Sequence, residues 1–188
     1  LKYAGWDAII VEGEAPEWSY ISIDDDKIEL HDASDLVGMK SEAIDDALKE
    51  RHGQDFSVLN IGPAGEKKVL LAAIMNDKDR AAGRSGVGAV MGSKKLKAIV
   101  VRATRKNLDN IADIDALKVA TQKAMEVIKA NPVTGSGLRQ LGTAVLVNII
   151  NNIGAFPTNN WQHSYAEYGD DISGETLADT YLVKAGAC

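Results

Sequence analysis

The stretch Asn76-Asp77-Lys78-Asp79-Arg80-Ala81-Ala82-Gly83-Arg84-Ser85-Gly86-Val87-Gly88-Ala89-Val90-Met91-Gly92-Ser93-Lys94-Lys95-Leu96-Lys97-Ala98-Ile99-Val100-Val101 constrains this chain more than any other part of it. Arginines and glycines lead into a run of β-branched residues. Glycine lets backbone approach a ligand closely and takes positive φ without strain. Amides freed at such a turn, beside a helix N-terminus, attract an anion, and arginine adds a planar, bidentate clamp for phosphate. The stretch reads as a cradle for a phosphorylated cofactor. On motif physics alone, a glycine-rich connection into a buried strand, Leu96 to Val101, explains it equally well.

Two familiar cradles do not fit. A Walker loop ends in Gly-Lys-Ser/Thr, whereas Gly92 is followed by Ser93-Lys94. A dinucleotide fingerprint needs a glycine three positions after Gly88, where Met91 stands.

The remaining pattern predicts an α+β chain that changes character near residue 105. Before it, strands dominate. Trp6 to Glu12 is apolar and β-branched, and Ser19 to Ile23 and Lys27 to Leu30 form a hairpin about Asp24-Asp25-Asp26. The three aspartates read as a solvated turn, because no glycine and distal glutamate complete a calcium loop. Ser41 to Arg51 predicts a helix capped by Ser41, with Ile44, Ala47 and Leu48 on one face. Ser57 to Ile61 and Val69 to Met75 read as strands. Val87 to Met91 starts a short helix, and Leu96 to Val101 closes the sheet. After residue 105 the period is helical. Asp115 to Ala130 is ended by Asn131-Pro132, and Gly135-Ser136-Gly137 makes a turn. Thr143 to Asn152 reads as a buried apolar helix, Gly154 to Gly169 as an irregular aromatic-rich loop, and Ser173 opens a last helix running to about Lys184.

Asn76-Asp77-x-x-Arg80-Ala81-Ala82-Gly83-Arg84-x-Gly86-x-Gly88-Ala89-Val90-Met91-Gly92-Ser93-Lys94-x-Leu96-Lys97-Ala98-Ile99 resembles the signature of the tungsten-containing aldehyde ferredoxin oxidoreductases. Ala4-Gly5-Trp6-Asp7-Ala8-Ile9-Ile10-Val11-Glu12-Gly13, Ile61-Gly62-Pro63-Ala64-Gly65-Glu66 and Leu141-Gly142-Thr143-Ala144-Val145-Leu146-Val147-Asn148-Ile149-Ile150-Asn151 resemble further blocks of that family, in the same order. One position departs: the family usually has Gly-Arg-Gly-Gly where this chain has Gly83-Arg84-Ser85-Gly86. Ser85 therefore has either negative φ or a locally different geometry.

The resemblance implies an internal fragment, since the chain begins with Leu1 and ends at Cys188. It implies that residues 1–105 are the C-terminal part of a β-rich, tungstopterin-binding base domain and that 106–188 begin a helical domain. By resemblance, Arg80 binds a phosphate of a tungsten bis-pterin, the Ala81 carbonyl helps hold a magnesium ion, and Gly83 and Arg84 complete the cofactor set. Cys188 aligns with the first ligand of a [4Fe–4S] cluster, for which a soft thiolate is the fitting donor. The implied reaction oxidises an aldehyde to a carboxylic acid, with ferredoxin as electron acceptor and a homo-oligomer or electron-transfer subunits as possible partners. Catalytic acid–base residues fall outside this stretch. Alternatives are another tungsten reductase of the family, such as one acting on aromatic thioesters, and a non-catalytic scaffold or truncated remnant.

From the residues themselves, Asn76 and Asp77 are expected to position the loop through local side-chain bonds. Lys94, Lys95 and Lys97 read as solvated. His31, His52 and His163 lack metal-ligand spacing. His163 falls in the aromatic-rich loop, where it either lines a substrate channel or is a surface or packed histidine. A net charge of −6 argues against nucleic acid as a partner. No apolar run has transmembrane length, and a single cysteine excludes an intrachain disulfide. An oxygen-sensitive cofactor, implied by the resemblance, fits a reducing cytoplasm.

Overall fold

The computed structural model describes residues 1–104 and 111–183, in an α+β arrangement. It divides into two units, Leu1–Asn110 and Ile111–Cys188.

The first unit is built on one six-stranded sheet. In chain order its elements are β1 (Ser19–Asp24), β2 (Lys27–Asp32), α1 (Ser41–His52), β3 (Ser57–Asn60), α2 (Pro63–Glu66), β4 (Ile74–Asn76), β5 (Arg80–Ala82), α3 (Val87–Ser93) and β6 (Leu96–Arg102). The spatial order is β2-β1-β6-β3-β4-β5. β1 and β6 run parallel, and the other neighbours are antiparallel.

Alternation along the strands makes the sheet two-faced. Tyr20, Val58, Ala98 and Val100 point to the side covered by α1 and pack with Leu36, Ile44, Leu48 and Phe56, all buried. The opposite face gathers Ile61, Met91 and Leu96 with the partly buried Ile21, Leu59, Ile74 and Ile99. Each fully buried side chain of this size contributes about 1.5–3 kcal/mol over its exposed state. These layers hold the rest of the sheet in place.

The β1–β2 hairpin forms as expected, in register from Ser19↔Asp32 to Asp24↔Lys27. Its turn is tied down rather than merely solvated. Asp24 accepts from Arg102 Nε at 2.8 Å, and Asp25 from the Thr104 amide at 3.0 Å.

Several expectations fail for physical reasons. Trp6 to Glu12 forms no strand: β propensity needs a partner edge, and among the described residues it pairs with none. Its indole instead donates to Asp25 O at 3.0 Å. Val69 to Met75 shortens to Ile74–Asn76 because the Val69 amide bonds back to Ala64 O and the Ala72 amide to Val69 O. That turn wraps the end of α2 and leaves Leu70 and Leu71 exposed. Ser41 does not cap α1. A cap needs extended backbone, which Lys40 has, while Ser41 is already helical and its carbonyl accepts from Asn60 Nδ2 at 3.2 Å. β6 does not close the sheet but lies inside it, between β1 and β3.

In the second unit, α4 (Ile114–Ala130) is capped by Asp113, whose carboxylate accepts from the Asp115 and Ala116 amides at 3.1 and 2.9 Å. A π-helical segment, Val133–Gly137, replaces the expected glycine turn and leads to α5 (Leu138–Leu141). The expected helix Thr143 to Asn152 divides into a 3-10 turn, Gly142–Val145, and α6 (Leu146–Asn152). Its apolar residues are not the buried ones: Leu146 and Ile149 are exposed, and Asn151 is buried. Both ends of the Asn151 amide bond the Ala166 backbone at 2.8 Å, which holds the following loop. α7 (Gly174–Thr180), capped by Ser173, stops short of Lys184, which lies outside the described residues.

Candidate functional site

The arginine- and glycine-rich stretch folds as the β4–β5 hairpin followed by α3. Asn76 pairs with Arg80, Met75 with Ala81 and Ile74 with Ala82. Among the described residues β5 is the sheet's outer strand, so one side of its backbone has no strand partner there. Arg80, Ala81, Gly83 and Arg84 are all exposed. Among the described residues no carboxylate pairs with either guanidinium. A Cβ built on Gly83 would meet nothing within 4 Å, so there is open room at Gly83, next to Arg84. Two free cations, an accessible strand edge and open space fit an anionic, phosphate-bearing group. The same chain segment places the Ala81 carbonyl next to Arg80, and an oxygen donor beside phosphate suits magnesium.

The hairpin turn is left-handed at Asp77 and Lys78, with φ of 46° and 69°. Aspartate tolerates this conformation better than most residues. The Asp77 amide donates to Val58 O at 2.9 Å, and its Oδ1 accepts from the Val58 amide at 2.9 Å. Asn76 Nδ2 donates to the other carboxylate oxygen at 2.6 Å. Lys49 Nζ, 3.5 Å from Asp77, also lies 3.0 Å from the fully buried Asp45, one helical turn away on α1. The Asp45 carboxylate, reinforced by Asp77, raises the Lys49 pKa above the ordinary lysine range. Lys78 reaches Asp46 at 2.5 Å.

The glycines of α3 serve packing. A Cβ on Gly92 would stand 1.9 Å from Gly65 O, and one on Gly88 would stand 2.7 Å from the Ala72 and Ala73 carbonyl oxygens. Helices α2 and α3 therefore meet backbone to backbone. The Gly88 amide is already used, donating to Ala72 O at 3.0 Å. Ser85 has φ 72°, so the serine occupies the left-handed conformation that glycine favours.

Lys97 corrects the expectation of a solvated lysine. It is fully buried, donates to Ile61 O at 2.8 Å and pairs with Glu66, whose carboxylate also accepts from the Gly38 amide at 2.9 Å. Desolvation lowers its pKa below the usual lysine range, and the Glu66 bond opposes that. Lys94 and Lys95 lie along the segment before β1, donating to Gly13 O at 3.2 Å and Pro16 O at 2.5 Å. One signal could have flagged Lys97: it takes the β6 face shared with Ile99 and Val101, where the strand pattern calls for an apolar residue.

A second cluster escaped the sequence reading. His31 stacks on Tyr20 with centroids 4.8 Å apart, and His52 bonds the Tyr20 hydroxyl at 2.9 Å. The β1–β2 hairpin sets Tyr20 opposite His31, but nothing in the linear sequence brings His52 to them. Cys188 lies outside the described residues. His163 stands in the second unit, bridged by backbone bonds to Thr158, beside a cavity of about 600 Å³ that Tyr165 and Tyr168 also line.

Comparison with known proteins places this geometry in context. Residues 1–103 match the family described as aldehyde ferredoxin oxidoreductase, N-terminal domain, and residues 119–188 match aldehyde ferredoxin oxidoreductase, domains 2 and 3. The whole chain is 48% identical to a tungsten-containing aldehyde ferredoxin oxidoreductase of Pyrococcus abyssi and 47% identical to one of Thermococcus kodakarensis, covering 31% of each. It is 33% identical, over 92% of its length, to an aliphatic sulfonate oxidoreductase, WOR-like subunit, of Pyrococcus furiosus, covering 29% of that protein. The chain thus spans about a third of the length of the curated relatives it matches. Among solved structures it resembles the active site complex BamBC of benzoyl coenzyme A reductase, bound to 1,5-dienoyl-CoA. The TM-score is 0.75 and the identity 30%, over all of this chain and 30% of that one.

Proposed function

The chain belongs to the aldehyde ferredoxin oxidoreductase family, and on that premise we propose that it forms the cofactor base of a tungstopterin oxidoreductase that converts aldehydes to carboxylic acids. One observation carries the reading: Arg80 and Arg84 stand exposed and free of carboxylate partners among the described residues, and Gly83, between them in sequence, is open on its own side-chain position. In this reading Arg80 binds a pterin phosphate, Ala81 offers its carbonyl to magnesium, and Gly83 and Arg84 line the same edge. The cofactor, when bound, supplies the two-electron redox chemistry. Oxidising an aldehyde to its acid consumes one water and releases two protons and two electrons. Residues 1–105 give the last part of the pterin-binding domain and 106–188 the start of the helical domain. Cys188 supplies one thiolate to a [4Fe–4S] cluster that passes electrons to ferredoxin, in a cytoplasmic enzyme assembled as a homo-oligomer or with electron-transfer subunits. Among the described residues, no helix is long and apolar enough to cross a membrane.

The likeness to benzoyl coenzyme A reductase supports a second reading, reduction of an aromatic thioester. The higher identity to the aldehyde enzymes favours the first. Assaying the complete protein with an aldehyde and with an aromatic coenzyme A thioester separates them.

The site is tested by bound tungsten and pterin per complete protein. A charge-assisted bond to phosphate is worth roughly 1.5–3 kcal/mol. Arg80→Ala is expected to lose cofactor to that extent, and Arg80→Lys to recover part of it without the bidentate fork. Normal cofactor content and affinity in Arg80→Ala would show the loop to be structural only.

A further inference from the structure

We infer that Asp77 is the positioning residue of the proposed phosphate site, setting where Arg80 stands. The inference rests on the reading of Arg80 given above. The hairpin that carries Arg80 has little burial of its own: β4 and β5 are three residues each, β5 is wholly exposed, and Ile74 packs against the core from β4. Beyond the β3–β4 ladder and Ile74, what fixes its turn is polar, and those contacts gather on Asp77.

Val58 is the reference point. It is fully buried in the core layer under α1, so its peptide groups are fixed. The β3–β4 ladder pairs Asn60 with Met75 and Leu59 with Asn76, so Val58 and Asp77 come next. At φ 46° the Asp77 backbone has left the strand conformation. The residue nonetheless brackets Val58, its amide donating to Val58 O and its carboxylate accepting from the Val58 amide, both at 2.9 Å. The side chain does the work of the carbonyl that the turn has carried away, and extends the ladder by one pair. Lys49, 3.5 Å away, adds a charge contact from α1. The Lys78–Asp46 pair is more exposed and contributes less. Two residues separate Asp77 from Arg80, so a displaced turn moves the guanidinium with it.

The carboxylate acts here by the place of its oxygen more than by its charge. Asn keeps an acceptor at the same position, Ala removes it, and Glu keeps the charge but moves the oxygen by a methylene. The experiment compares tungsten and pterin phosphate bound by the complete protein in Asp77→Asn, Asp77→Glu and Asp77→Ala, each alone and with Arg80→Ala, alongside thermal melts. Expected are near-normal cofactor in Asp77→Asn, about 5-fold less in Asp77→Glu and Asp77→Ala, and no further loss when either is added to Arg80→Ala, since residues acting through one contact are not additive. If Asp77→Ala fails to fold, the Asn and Glu variants decide between position and charge. Full cofactor in Asp77→Glu, or a loss that adds to that of Arg80→Ala, overturns the inference and leaves the reading of Arg80 standing. Full cofactor in Arg80→Ala overturns that reading and this inference together.

Discussion

Glu66, on the last residue of α2, neutralises the fully buried ammonium of Lys97 on β6. The pair joins α2 to the sheet interior, and Glu66 extends the link to the Gly38 amide. Removing one partner strands a charge in the core, which costs about 3–5 kcal/mol, whereas replacing both by apolar groups can be neutral. Glu66→Ala is expected to lose stability on that scale, and the double variant Glu66→Leu with Lys97→Met to recover most of it. Denaturant midpoints measure both. Equal losses in the single and double variants would mean that packing, not the buried charge, sets the cost.

The contact between α2 and α3 leaves no space for a side chain. A methyl on Gly92 would fall 1.9 Å from Gly65 O, and that neighbour is backbone and cannot step aside. Gly92→Ala should therefore destabilise by at least about 1–3 kcal/mol, the range of overpacked cores. Gly83→Ala is the control: φ is −91° and the space is open, so stability should change by less than about 0.5 kcal/mol. Similar unfolding midpoints for the two variants would contradict the packing argument.

Local features were legible in the sequence, and relations between distant segments were not. The β1–β2 hairpin and the α1 face of Ile44 and Leu48 each follow from a pattern within a few residues. Trp6 to Glu12 has the composition of a strand, but a strand is a pairing, and no edge among the described residues receives it. Lys97 differs from its neighbours Lys94 and Lys95 in sequence only by its strand position, on the face of Ile99 and Val101. Its burial is decided by Glu66, 31 positions earlier.

The candidate site divides the same way. Residue type and spacing mark the stretch around Arg80, Ala81, Gly83 and Arg84 but fit a plain glycine-rich connection equally well; only the family resemblance singles out these four. That Gly88 and Gly92 are needed for packing was not legible, because their partners, Ala72 and Gly65, lie in segments whose turns appear only in the fold. Likewise, the bond from Asp77 to Val58 crosses 19 positions.

Ser85 stands where the family pattern has glycine, and it does so at φ 72°. A non-glycine residue pays about 1–2 kcal/mol for the left-handed conformation. Glycine relieves that but gains about 0.4–1 kcal/mol of freedom in the unfolded chain. The balance predicts that Ser85→Gly stabilises by roughly 0.5–1 kcal/mol, and that Ser85→Val, β-branched and exposed, destabilises. Thermal unfolding of the three proteins tests the order, and a Val variant as stable as the Gly variant would refute the strain.

His52 makes stability depend on pH. Burial foremost, then His31 and Arg51, holds its imidazole below the ordinary histidine range, while Asp24 and Glu29 pull weakly the other way. Its place at the end of α1 would favour the cation through the helix dipole; desolvation beside two basic neighbours outweighs that. The unfolded chain thus takes up this proton at a higher pH than the folded one. Where the unfolded state binds more protons, stability rises with pH. The fold should be at full strength above the ordinary histidine value of about 6.5 and weaken as the medium becomes more acidic, until folded His52 is protonated too. Urea midpoints between about pH 7.5 and pH 5 should fall more steeply for the wild type than for His52→Gln, which keeps a polar partner for the Tyr20 hydroxyl but does not titrate. Parallel slopes in the two proteins would move the acid sensitivity to another group and remove His52 from the account.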